Sequence, residues 1–139
     1  MYYAIIAVSS VLWIWFLGCT ITWRFGRLLL VEGMGIKSIE FAVLVLFTLG
    51  CALYIGFPGA GKWVLLFELA VWLIAQFCSH WYYTIFGVTQ EKLTGYNQCF
   101  EGTARIFPLS EARLIPDLYH IVLHILIALD LVLVILYIT

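Results

Sequence analysis

The sequence predicts an all-α, polytopic membrane protein, a single transmembrane domain over residues 1–139 built as a four-helix bundle. Three observations carry that prediction. Of the residues, 65% are hydrophobic and only 11% charged, the apolar residues form four long runs, and most of the charge is held in the segments between them. A soluble domain needs about a quarter of its residues charged to cover its surface, so lipid must be the solvent for most of this chain. In lipid the backbone has to satisfy its own hydrogen bonds within each segment, which makes helices the default for spans of this length.

The runs place helices at about 2–23, 39–57, 63–86 and 115–138, each close to the ~20 residues that cross ~30 Å of hydrocarbon. The first contains no charged side chain. It differs from a secretory signal because its apolar stretch is long and Arg24 and Arg27 follow it rather than precede it. Trp23, Trp63 and Trp81 fall near helix ends, where indole rings favour the headgroup zone.

The connections differ in kind. Pro58 to Lys62 reads as a tight turn that sets the second and third helices antiparallel, and Arg24 to Ser38 as a moderate loop. Gly87 to Leu114 is the longest polar stretch. Within it Leu93, Tyr96, Phe100 and Phe107 recur near a helical spacing behind Thr89-Gln90-Glu91, a start typical of a helix N-terminus. A short interfacial helix lying on the membrane surface fits that pattern.

Basic residues set the orientation. Arg24, Arg27 and Lys37 lie in the first loop and Lys92, Arg105 and Arg113 in the third, with Lys62 alone on the other side. Positive residues stay inside. The expectation is both termini outside, loops 24–38 and 87–114 cytoplasmic, and a home in the cytoplasmic membrane of a prokaryote.

Gly56-Phe57-Pro58-Gly59-Ala60-Gly61-Lys62 matches most of a phosphate-binding P-loop, G-x-x-x-x-G-K. Trp63 follows where that loop needs Ser or Thr for magnesium, and two apolar runs flank it in place of a strand and a soluble helix. The segment is therefore read as a turn that takes no nucleotide, and nothing in the chain suggests nucleic acid. Four cysteines without metal-ligand spacing argue for neither a disulfide framework nor a zinc knuckle.

The informative residues are the polar ones inside the runs, because an ionisable group at mid-membrane costs about 2.5–3.5 kcal/mol on insertion scales. At about 1.5 Å per residue, His80, Gln76, His120 and His124 all fall in the cytoplasmic half. Asp117, His120 and His124, at i, i+3, i+7, share one helix face. Glu40 starts the second helix at the same level. Three converging histidines beside a carboxylate form a candidate transition-metal or haem site, with Asp117 or Glu40 as ligand or ring-orienting partner. Histidines that bond across helices and hold the bundle together are the alternative.

Glu68 and Asp130 form a second layer nearer the outer face. With no Lys or Arg at that depth, each is expected neutral and bonded to a hydroxyl such as Ser9 or Ser10, or opened to water. Glu68, Trp72, Gln76 and His80 repeat every four residues, a polar stripe that could line a route or form a helix seam. In the long loop Arg105 and Arg113 are candidates for an anion or lipid headgroup.

Three function classes stay open. The leading one is a channel, carrier or small-ligand-binding bundle. The others are a metal- or haem-dependent membrane enzyme or redox protein, and a structural subunit partnered by itself or by another membrane protein. The chain lacks the first-helix acid of small drug exporters, the D-G-x-x-A-R box of membrane phosphotransferases and a potassium-filter sequence. It also has too few histidines for the histidine-rich membrane oxygenases.

Overall fold

The computed structural model describes residues 1–139 and is mostly helical. Helix α1 spans Tyr2–Leu17, α2 Ile39–Gly56, α3 Pro58–Phe86, α4 Gln90–Cys99 and α5 Leu118–Ile138. Two short strands, β1 Trp23–Phe25 and β2 Leu28–Val31, pair antiparallel between α1 and α2. Three helices, α2, α3 and α5, are long and apolar enough to cross a membrane. Helix α1 is apolar but, at 16 residues, only about 24 Å long.

Each long helix buries one stripe. In α1 it is Ile5, Ser9, Leu12 and Phe16, in α2 Leu44, Phe47, Gly50 and Tyr54, and in α3 Gly61, Leu65, Leu69 and Trp72. Helices α1 and α3 each pack against both α2 and α5, so the core lies on the axis between them. The outward faces are equally apolar. Ile14, Leu49, Phe67 and Ile125 are all more than half exposed. Apolar residues on every face are the mark of a helix bathed in hydrocarbon.

Four expected boundaries move, each for a local reason. The first helix ends at Leu17 rather than 23: the amides of Gly18, Cys19 and Thr20 bond carbonyls three residues back, and those of Met34 and Gly35 take the carbonyls of Cys19 (2.7 Å) and Thr20 (3.2 Å). The expected loop 24–38 holds the β-hairpin, turning at Gly26 with φ +61°, so the protein is not purely α. A parallel bridge from Leu29 to Thr103 then ties the two long loops together. The joint between α2 and α3 is narrower than Pro58–Lys62. Only Phe57 lies between the helices, and Pro58 opens α3, where a missing N–H costs nothing. Gly61 belongs to α3 and touches the α2 backbone, so that a Cβ there would strike Tyr54 and Leu53. Finally α5 begins at Leu118, not 115, because Asp117 takes the N-cap.

Helix α4 lies in the long loop as the Thr89-Gln90-Glu91 start suggests. Leu93 is buried, Tyr96 and Phe100 are half-buried, and Phe107 lies beyond the helix and exposed. The loop is closed by specific bonds. The Thr84 hydroxyl donates to the Leu114 carbonyl (2.6 Å), and the Gln90 amide to that of Glu111 (2.8 Å).

Candidate functional site

Three elements bring the histidines together. His80 lies in a π-helical turn of α3, Phe77–Trp81, where the Tyr82 amide bonds the Phe77 carbonyl five residues back. Such a turn accommodates one extra residue and is common at functional positions. His120 and His124 lie one turn apart in α5. The His80 ring centroid is 4.5 Å from that of His120 and 5.5 Å from that of His124, and all three residues are only 7% exposed. The convergence expected from depth matching is therefore present.

Each ring is oriented by a different partner. His120 Nδ1 is 2.7 Å from Asp117 Oδ1, and the same carboxylate oxygen accepts from the His120 backbone amide at 2.9 Å. One oxygen thus caps the helix and aims the ring. Asp117 is not on a shared helical face with the histidines; it precedes the helix. His80 Nδ1 is 2.7 Å from the hydroxyl of Tyr96 in α4, a residue that periodicity assigned only to an interfacial face. His124 Nδ1 bonds the His120 carbonyl of its own helix, which leaves its other nitrogen buried without a partner. No three His, Cys, Asp or Glu side chains are arranged to hold one ion, so the histidine layer is a close, tilted pair plus a third ring, not a ready three-ligand set.

His80 and His120 face a cavity of about 710 Å³ at the end of the molecule that carries both long loops. Its walls come from the end of α1, β2, the start of α2, the π turn and α4, and include Glu40, Gln76, Tyr96 and Phe100. Trp72 and Phe16 form its inner limit. The Trp72 ring packs against Phe16 at 4.4 Å and against Phe47 at 5.4 Å, which makes an aromatic plug across the axis.

The second layer lies beyond that plug. Asp130 is fully buried and accepts a 2.7 Å bond from the Ser9 hydroxyl, one of the two partners expected. Ser10 instead bonds the Ile6 carbonyl of its own helix. Glu68 is half-buried, with its carboxyl pressed against the bare Cα of Gly50 on α2 and Oε2 without a hydrogen-bond partner. Of the stripe Glu68, Trp72, Gln76, His80, the last three line the cavity and Glu68 lies outside it, so the four residues do not line one continuous wall.

The loop arginines have separate fates. Arg105 donates to the carbonyls of Ile115 (2.6 Å) and Phe100 (3.3 Å), which commits its guanidinium to closing the loop. Arg113 is exposed, with a 3.4 Å contact to the Thr84 carbonyl. Sequence reasoning also missed the clamp between α1 and α5. The Trp15 indole donates to the Tyr119 carbonyl (3.1 Å), the Tyr119 hydroxyl donates to the Trp15 carbonyl (2.6 Å), and the two rings stack at 5.3 Å. Only aromatic richness hinted at it.

No protein-family model, curated protein or solved structure matches this chain. The fold and the site define an integral membrane protein with three apolar spanning helices and a histidine-lined cavity at one end.

Proposed function

We propose that all four long helices cross the bilayer, with both termini outside, and that the protein is a small-ligand-binding bundle. Its working part is the cavity that His80 and His120 line, open to the cytoplasm and stopped by the Phe16–Trp72–Phe47 plug. The single observation that carries this reading is that pair of close, buried imidazoles, 4.5 Å apart, in a 710 Å³ cavity. Each has Nδ1 engaged by a second side chain, which leaves Nε2 for a ligand. Sites of roughly 300–1,000 Å³ with a few convergent polar groups on apolar walls are the usual form of small-molecule pockets. The plug favours binding over passage, because a through route would need the two polar layers joined. Exposed apolar faces on α1, including Val11 and Ile14 at more than half exposure, support it as the fourth span, tilted or in locally thinned lipid.

Sided thiol labelling tests the reading. In a background without the native cysteines, Ser79→Cys in the cavity wall should react with a small charged thiol reagent added from the cytoplasmic face. Glu68→Cys, beyond the plug, should not react. Reaction of Glu68→Cys with Trp72 intact would demonstrate a through route and remove the closed-cavity reading.

A second reading rests on one specific observation. An Asp carboxylate on Nδ1 of a buried histidine is the arrangement that prepares Nε2 as a general base. Under that reading Asp117 and His120 act on a proton of the bound ligand, and the cavity is the active site of a membrane enzyme.

A further inference from the structure

The ligand proposed above needs a chemical class, and the cavity wall supplies one. Six of the seven Lys and Arg residues lie in the two long loops at this end of the molecule, yet none lines the cavity. The charged side chains that do line it are Glu32 and Glu40. Glu40 forms no ion pair, since the only one in the protein joins His120 and Asp117. Arg105, the basic side chain nearest in sequence to Phe100 and Thr103 of the wall, is held by two carbonyls.

The neutral polar groups have the same sense. Gln76 brings an uncharged amide side chain to the cavity wall. With Nδ1–H donated to Asp117, the neutral form of the His120 ring presents a lone pair at Nε2. The His80 and His120 rings lie 4.5 Å apart, and two imidazolium ions at that distance would repel strongly, so the pair favours a state with at least one neutral ring. Around these acceptors stand the rings of Phe16, Trp72, Tyr96 and Phe100, whose faces attract a cation and whose bodies cover apolar groups.

Resting on the small-ligand reading, we infer that the ligand is a protonated organic amine with an apolar body, its ammonium donating toward Glu40 and an unprotonated imidazole nitrogen of the wall. An anion would meet two carboxylates and no cation there. A purely apolar ligand would leave the Glu40 carboxylate unanswered.

The test uses the full chain in a non-ionic detergent and three probes of one shape: 2-phenylethylammonium, neutral 2-phenylethanol and phenylacetate. Affinities are read by titration calorimetry. The ammonium is expected to bind at least about tenfold more tightly than the alcohol, roughly the effect of one partly buried charge pair, with phenylacetate weakest. Glu40→Gln should remove most of that preference. Equal binding of ammonium and alcohol, or tighter binding of phenylacetate, overturns the amine assignment while leaving a ligand cavity in place. Binding by none of the three to folded protein overturns the assignment as well, and the labelling of Ser79→Cys and Glu68→Cys then judges the cavity reading separately. If Glu40→Gln does not fold, the three probes on the native chain decide alone.

Discussion

Asp130 is the most deeply buried carboxyl in the protein, and its surroundings hold no basic side chain, only the Ser9 hydroxyl at 2.7 Å. Asp130→Asn keeps an acceptor for that hydroxyl at nearly constant volume, so it should cost under about 1 kcal/mol. Asp130→Ala strands the hydroxyl and opens a void, and should cost about 1–3 kcal/mol. Thermal unfolding in detergent separates the two, and equal losses would show that the Ser9 bond contributes nothing. Asp117 has two duties on one oxygen, the cap and the His120 ring. Asp117→Asn preserves an acceptor and should unfold within about 1 kcal/mol of the native protein, whereas Asp117→Ala should lose about 1–2 kcal/mol. An alanine variant as stable as the native chain would mean that the α5 cap is dispensable.

Between elements, the decisive contact is the close approach of α2 and α3 at Gly61, where helix backbones touch in the manner that small residues allow in membranes. Gly61→Ala should lower stability by about 1–3 kcal/mol, because the obstacle is backbone and cannot rotate away. Gly59, two residues earlier in the same helix, faces open space. Gly59→Ala should be neutral or stabilising by up to about 1 kcal/mol, since alanine is the better helix former. The same unfolding assay ranks the pair, and Gly61→Ala behaving like Gly59→Ala would contradict the packing. The π turn at Phe77–Trp81 works at this scale too. It turns His80 toward α5 and α4, where a regular α-helix would carry the residue onto another face.

For the whole molecule the governing quantity is the distribution of charge across the bilayer. Six basic residues lie in the long loops against Lys62 alone at the α2–α3 joint, and this asymmetry is what orients a short-looped membrane protein. A cysteine at Thr94, an exposed position of α4, should be labelled from the cytoplasmic face and not from outside. Labelling from outside would invert the topology and turn the cavity toward the opposite compartment.

Membrane class, the positions of the long helices, the α4 start and the meeting of three histidines were all legible in the sequence. These follow from hydrophobic length, 1.5 Å of rise per residue and the cost of placing polar groups in hydrocarbon, none of which needs a partner element to be known. The hairpin at Trp23–Val31 was not legible, because its ladder has only three residue pairs and an irregular register, too short to leave an alternating pattern. The π turn left no periodic signal, and Asp117 read equally well as a helix-face ligand or as a cap. Tyr96 as the partner of His80, Arg105 as a loop clasp and the aromatic plug that separates the two polar layers all required the folded arrangement. Helix rotation decides which side chains meet, and in an apolar chain rotation carries almost no trace in the sequence, since every face of each helix is hydrophobic. Tertiary packing chose the inward stripes, and with them the cavity.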